Sequence, residues 1–448
     1  MRVIVSFMKE QYRQIVRQKI TDSLAAPMPV STHRDVWMPS VPGKSTAVIG
    51  MRRAGKTTLL WQVLAERLKN GTKRDSLLYF SFEDERLAGM QAGDLDLLVE
   101  EYFRLHPEWR DMKKVTFFLD EIQTVPEWEM FARRLLDSEN IDIFISGSSA
   151  RLLSREVATS MRGRAMEAVV FPFSFRESLR HTGQEPKKTL RKMTKAQNSF
   201  LYKALLEYLT CGGFPEAQGL DLRNRAELLC GYVDIVLLRD VVERHSVSRP
   251  QILRWMVRQL LGNAAGMFSV NKFYRDLKSQ GFAVGKDTLH EYLSHLEDAF
   301  LVSSISLDTE TLRRKRVNPR KVYPVDTGLV PFFDRSNRGN LGHKLETVVF
   351  LELKRRGTDI CYVRTENGFE VDFFARYLDG KEELIQVSVS VDDAETRNRE
   401  IRALLDAAKL HPDATLLLVV LDKPSVVEIP DEITLITAGN WLLSEPFN

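Results

Sequence analysis

The strongest chemistry in the sequence lies between residues 45 and 58. Ser45-Thr46-Ala47-Val48-Ile49 reads as a short buried strand, and Leu59–Leu68 as an apolar helical stretch. Between them runs Gly50-Met51-Arg52-Arg53-Ala54-Gly55-Lys56-Thr57-Thr58. This is GxxxxGK[ST] between a strand and a helix, the context that separates a phosphate-binding loop from a chance match. Gly50 and Gly55 allow backbone angles and a close approach that a Cβ would obstruct. Successive N–H groups through Arg53, Ala54 and Gly55, and the helix N-terminus behind them, then face phosphate oxygens. Lys56 reaches the β- and γ-phosphates of ATP, Thr57 joins the Mg2+ shell and Thr58 touches the α-phosphate.

Hydrolysis of a γ-phosphate needs little more than positioning and charge neutralisation. The apolar run Val115-Thr116-Phe117-Phe118-Leu119 ends in Asp120-Glu121. A carboxylate at the tip of a buried strand beside the loop can hold the metal's water shell, which assigns Asp120 to Mg2+ and Glu121 to general base. A third strand, Ile141–Ile145, ends in Ser146-Gly147-Ser148-Ser149. Ser146 or Ser148 can sense the γ-phosphate or the attacking water, or the segment can simply cap a helix. Arg162 or Arg164 can stabilise phosphoryl charge across a subunit interface, or form an ion pair within the chain.

These elements must sit in a larger frame. The 448 residues allow about three domains of ordinary size. Apolar residues at 44% and charged residues at 28% exclude long disorder, collagen and a disulfide scaffold. Lys+Arg at 64 against Asp+Glu at 61 means that any nucleic-acid surface must be local. Cys211, Cys230 and Cys361 are too few for an all-thiolate zinc site and suit a reducing compartment. No apolar run is long enough to span a bilayer, and Met1–Lys9 lacks a signal-peptide core, so the expected location is cytoplasmic, without membrane contact.

The ordered set Gly50–Thr58, Leu119-Asp120-Glu121-Ile122-Gln123, Ile145–Ser149 and Gly163-Arg164 with Phe171-Pro172-Phe173-Ser174-Phe175 resembles a family of bacterial and archaeal AAA+ ATPases that carry a C-terminal domain of unknown function. Downstream segments share the resemblance: Tyr208–Glu216, Leu238-Arg239-Asp240, Lys321–Leu329 and Glu370-Val371-Asp372-Phe373. It implies an α/β fold: a P-loop AAA+ core with an N-terminal helical arm (1–180), then a linker and helical lid-like segment (181–249). A winged-helix-like domain (250–334) and a C-terminal α/β domain resembling restriction endonucleases (335–448) follow.

In region 250–334, helices are expected at Ile252–Leu261, Val270–Ser279 and Lys286–Leu296, and strands at Phe300–Leu307 and Arg320–Val325. A winged helix would set the third helix, with Lys286, Asp287, Thr288, His290 and Tyr292, in a major groove. Arg313, Arg314, Lys315 and Arg316, at the basic tip between the strands, would contact phosphates. The alternative is a packing or protein-docking module with a solvated basic loop. In the last region a helix carrying Glu346, a strand carrying Asp372 and a strand carrying Gln386 resemble the PD-(D/E)XK nuclease arrangement, whose acids converge on Mg2+ beside a lysine. Gln386-Val387-Ser388 stands where Glu-x-Lys is expected, so Ser388 supplies no ammonium, with Arg397 or Arg399 as spatial substitutes. That departure favours an inactive binding relic over a nuclease.

The expected activity is Mg2+-dependent ATP hydrolysis by a homo-oligomer, coupled to binding or remodelling of nucleic acid, DNA favoured over RNA. The alternatives are an ATP-regulated nuclease and an ATP-dependent switch acting on a protein partner.

Overall fold

Five apolar runs among the first 170 residues become the strands of one sheet: β1 (Ser45–Ile49), β2 (Leu77–Ser81), β3 (Val115–Asp120), β4 (Ile141–Gly147) and β5 (Ala165–Val169). The computed structural model describes residues 2–110, 112–147, 161, 163–186, 194–309, 318–334, 340–424 and 428–444, with side chains from residue 9 onward. The order is β2-β3-β4-β1-β5 and every pairing is parallel. A parallel sheet is covered on both faces, which explains why β1 and β3 are buried along their whole length. Val48, Leu59, Leu60, Leu64, Phe118 and Phe144 form much of the core between the sheet and the helix Lys56–Lys69. The N-terminal helix Arg2–Ala25 buries Tyr12, Val16 and Ile20, and the Tyr12 hydroxyl donates to the Ala88 carbonyl at 2.9 Å.

Contacts divide the chain into two compact units, Met1–Val170 and Phe171–Asn448. The second begins with three helices, Phe175–His181, Lys195–Cys211 and Leu222–Ile235, the last running into a π-helical stretch, Val236–Glu243. The helix Lys195–Cys211 ends at Gly212-Gly213, and both glycines are dictated by close approach. A Cβ on Gly212 would lie 1.8 Å from Asp326 Oδ1, and one on Gly213 would lie 2.1 Å from the Phe173 carbonyl oxygen. The Phe173 N–H donates to Gly213 O at 2.7 Å, and the buried Asp326 carboxylate accepts from Gly213 N (2.6 Å) and Gly328 N (2.8 Å). Arg176 donates to the Leu443 carbonyl, and Arg355 to that of Pro172. Several segments singled out in the sequence thus meet in one buried knot.

Next come the helices Pro250–Gly262, Val270–Ser279 and Lys286–Asp298 and the strands β6 (Gly266–Phe268), β7 (Val302–Ile305) and β8 (Arg320–Pro324). The strands form an antiparallel sheet in the order β6-β8-β7. The chain then forms the helix Leu341–Arg355, β9 (Asp359–Arg364), β10 (Glu370–Arg376), β11 (Glu382–Ser388), the helix Ala394–Ala408, β12 (Thr415–Val420), β13 (Ile433–Thr437) and the helix Ala438–Leu443. This second five-stranded sheet has the order β13-β12-β11-β10-β9. It is antiparallel from β9 to β11 and parallel from β11 to β13. The final strand and helix were not expected from the sequence.

Candidate nucleotide site and acidic centre

The phosphate-binding loop turns out of β1 at Gly50, whose φ is +149°. A Cβ there would stand 2.2 Å from the Val170 carbonyl oxygen, so the close approach of the segment after β5 leaves room for glycine alone. Arg53 and Gly55 also have positive φ, 65° and 100°. Lys56 opens the following helix, is buried, and donates from Nζ to the carbonyl oxygens of Gly50 and Met51, each at 3.1 Å. Outside the motif, the buried Arg34 guanidinium donates to Ala54 O at 2.8 Å and braces the loop from the preceding segment.

Asp120 ends β3 beside this loop and is buried. Its Oδ2 accepts from the Thr57 hydroxyl at 2.9 Å and from the Tyr79 hydroxyl at 2.6 Å, and its Oδ1 accepts from Ser146. Ser146 also accepts from the Glu121 N–H at 3.1 Å. Glu121 is left-handed, with φ 54°, and its carboxylate accepts from Gln123. Burial pushes the Glu121 carboxyl above the usual range, with Lys56 opposing. Burial, then the Asp120 charge, hold the Tyr79 phenol protonated as a donor. Tyr79 also lies 4.5 Å, centroid to centroid, from Trp61. Thr57 and Asp120 together are a hard-oxygen pair of the kind that Mg2+ takes.

Ser148 and Arg162 lie outside the described residues, as do Arg313, Arg314, Lys315 and Arg316. Arg164 forms an exposed ion pair with Asp137 of its own chain. Thr58 occupies the first turn of the helix Lys56–Lys69. Sequence reasoning missed Tyr79 and Arg34.

In the second unit, Lys286, Asp287 and His290 are exposed on the helix Lys286–Asp298. Burial, then Lys286 and Arg320, lower the His290 imidazole. Tyr292 does not face outward: it is buried on the same stripe as Leu289, Leu293 and Leu296, and so cannot enter a groove.

The helix Leu341–Arg355 and β10 bring Glu346 and Asp372 together, and the ammonium beside them comes from Lys321 of β8. Lys321 Nζ lies 3.0 Å from Glu346 Oε1, 3.0 Å from Glu370 Oε1 and 2.8 Å from Asp372 Oδ1. Arg397 and Arg399 are not its substitutes. Arg397 donates to the carbonyls of Val391 and Asp392, and Arg399 pairs with Glu400. Gln386 accepts from the Asp372 N–H at 3.2 Å and donates to Glu400 at 2.7 Å, which orients its amide. Ser388 turns away to the Ser390 carbonyl. Burial would lower the Lys321 ammonium, but Asp372, Glu346 and Glu370 raise it overall.

Residues 43–179 match the family described as AAA domain, and residues 202–338 match a domain of unknown function, DUF8612. Uncharacterized protein MJ1544 of Methanocaldococcus jannaschii is 35% identical over 382 residues, covering 84% of this chain and 81% of that protein. An uncharacterized protein of Haemophilus influenzae is 31% identical over 347 residues, covering 77% and 82%. Among solved structures, the Walker-type ATPase of Pyrococcus abyssi aligns with a TM-score of 0.40 at 15% identity, covering 72% of this chain and 95% of that one. Among the described residues no helix is long and apolar enough to cross a membrane.

Proposed function

We propose, for a chain that belongs to the family of these Methanocaldococcus and Haemophilus relatives and contains an AAA-type P-loop ATPase domain, that it hydrolyses ATP with Mg2+ at Gly50–Thr58 and couples nucleotide state to a nucleic-acid-binding region. The observation that carries the hydrolytic reading is the relay Thr57–Asp120–Ser146–Glu121, all joined by hydrogen bonds. Loop N–H groups from Arg53 to Thr58 would cradle the phosphates, and Lys56 would leave its carbonyl partners for phosphate oxygens. Thr57 and Asp120 would hold Mg2+, which when bound supplies charge neutralisation at the phosphoryl group. Glu121 would take the proton of the attacking water, its carboxylate turned by Gln123 and its backbone fixed by Ser146.

The test is ATP turnover and ATP affinity in two variants. Glu121→Gln should bind ATP and lose about 10²–10⁴-fold in turnover, the usual worth of a general base. Lys56→Ala should lose affinity. Turnover in Glu121→Gln within twofold of the parent protein removes the base assignment.

Nucleic-acid coupling, DNA favoured, is supported by the order of helix, strand, two helices and two strands among the described residues of 250–324 and by Lys286 exposed at the start of the third helix. We read this region as a winged helix whose basic tip, Arg313–Arg316, contacts phosphates. Neutralising about five phosphates gives a log–log salt slope near −4.5 on duplex DNA. Replacing Arg313, Arg314 and Arg316 with Ala should flatten it. No DNA binding at low salt, with turnover indifferent to DNA, transfers the role to a protein partner. The single P-loop per chain favours a homo-oligomer, in which Arg164 would exchange Asp137 for a neighbour's nucleotide. For region 335–448 we favour a binding role over phosphodiester cleavage.

A further inference from the structure

Lys321 Nζ donates to Glu346 and Asp372, and the half-exposed Glu370 carboxylate lies 3.0 Å away as a third ion-pair partner. The Lys321, Glu346 and Asp372 side chains are 5%, 10% and 13% exposed. Lys321 lies between Glu346 of the helix Leu341–Arg355 and Asp372 of β10, and among the described residues no group of three or more His, Cys, Asp or Glu is placed to hold a metal ion by itself. An irregularity in the β9–β10 register lies between Val371 and Phe374, the interval that holds Asp372 and Phe373, and such a bulge re-aims a side chain. Asp372 is held further by the Val387 N–H, which donates to its Oδ2 at 3.0 Å.

Lys321 belongs to β8, the central strand of the three-stranded sheet, and the acids belong to the five-stranded region. The same junction carries Tyr323, whose hydroxyl donates to Glu346 Oε1 at 2.9 Å and whose ring stacks on Phe350 at 4.1 Å. Beside it the Tyr362 hydroxyl donates to Pro319 O at 2.9 Å, and the Asp308 N–H donates to Tyr362 O at 2.8 Å. Removing one partner from a buried ionic cluster leaves uncompensated charge, a far larger penalty than the net worth of the pair. The cluster therefore grips the two sheets together for as long as a cation fills it.

We propose that the Lys321 ammonium is the resident cation of the Glu346–Glu370–Asp372 centre, held in place of a divalent ion, so that this centre is a metal-free joint between the three-stranded and five-stranded sheets and does not cleave phosphodiesters. The inference is independent of the ATPase reading, since it rests on none of the residues of the nucleotide site.

The test is Mn2+ binding to the nucleotide-free full-length chain, read from the electron paramagnetic resonance of free Mn2+, with thermal melting alongside. The parent protein and Asp372→Asn should bind Mn2+ equally, with Asp372→Asn melting several degrees lower. Lys321→Met, which keeps an unbranched side chain one heavy atom shorter and removes the charge, should bind one additional Mn2+ per chain, and Lys321→Met/Asp372→Asn should lose it. Plasmid DNA should stay intact with the parent protein in Mg2+ or Mn2+. The proposal is overturned if Asp372→Asn binds one Mn2+ fewer than the parent, if folded Lys321→Met gains none, or if the parent cleaves DNA in a way that Asp372→Asn abolishes. Should Lys321→Met fail to fold, the parent and Asp372→Asn decide alone. Equal stoichiometry with a lower melting point supports the joint, and a lost equivalent refutes it.

Discussion

Ser146→Ala is the most informative perturbation of the nucleotide site, because Ser146 touches both acids without touching the loop. Its hydroxyl donates to Asp120 Oδ1, and its oxygen accepts the Glu121 N–H at 3.1 Å. The first bond is to a charged group, worth about 1.5–3 kcal/mol, and the second is neutral, worth about 0.5–1.5 kcal/mol. Ser146 is fully buried, so alanine leaves the Glu121 N–H with no water in its place. Glu121 also holds a left-handed conformation that costs a residue with a Cβ roughly 1–2 kcal/mol, and Ser146 pins it there. The two bonds together come to about 2–4.5 kcal/mol. If all of it is expressed in the transition state, turnover falls roughly 30- to 2000-fold at 1.36 kcal/mol per decade. ATP affinity should hold within about threefold, because Lys56 and the loop N–H groups are untouched, a separation that a general loss of stability would not produce. The assay is single-turnover hydrolysis with a parallel ATP titration. Combined with Glu121→Gln, the loss should be clearly less than the product of the two single losses, since part of the Ser146 contribution acts by placing Glu121. Turnover of Ser146→Ala within twofold of the parent, or full multiplicativity in the pair, refutes the relay.

Three further outcomes are expected. The rate of hydrolysis should fall on acidification along a limb lying above the ordinary glutamate range, because burial raises Glu121, and a pH–rate profile at saturating ATP reads it directly. Asp326 is held up at about 6 by burial, against roughly 3.9 in an unfolded chain. Its contribution to stability is therefore present below about pH 4 and lost as pH rises through about 6, a change of order 3 kcal/mol. Urea melts of Asp326→Asn should lack that slope, and at low pH the variant should be less stable by about 1–3 kcal/mol, because an amide N–H faces the Gly213 donor. Gly50→Ala should lower both the melting temperature and ATP affinity, its Cβ meeting the Val170 carbonyl oxygen at 2.2 Å, as a thermal shift with and without ATP would report.

The loop and the Asp120-Glu121 tip were legible because their chemistry is local. Strand, glycine spacing and helix follow one another within 14 residues, and an acid pair closing an apolar run marks a strand end without reference to the rest of the chain. Tyr79 was not legible: its hydroxyl reaches Asp120 only because β2 lies beside β3, and strand order is not written in either segment. Lys321 was hidden by its neighbours. It closes a run of ten residues with six positive charges and falls in the expected strand Arg320–Val325, so nothing local set it apart, while its carboxylates lie 25, 49 and 51 positions further on. Tyr292 is a different case. Leu289, Tyr292, Leu293 and Leu296 repeat at helical spacing, so its burial was present in the pattern and was outweighed by the attraction of an aromatic on a candidate recognition helix. The strand Ile433–Thr437 is five residues long with a proline shortly before it, too brief for a period to register.

The knot around Gly213 has a consequence for how the protein is made. The second unit opens with Phe171, Phe173 and Phe175, all buried in the finished fold. Their surroundings close late: Gly213 waits for Asp326, and Arg176 waits for Leu443, 267 positions downstream. At about 5–20 residues per second, a ribosome takes roughly 15–50 s to cover that interval. The parallel sheet of the first unit is complete in sequence by Val169 and can form while translation continues. The aromatic trio cannot, so for those roughly 15–50 s it lacks its final partners on the nascent chain, and Phe171–Phe175 is where a ribosome-associated chaperone would have most to cover.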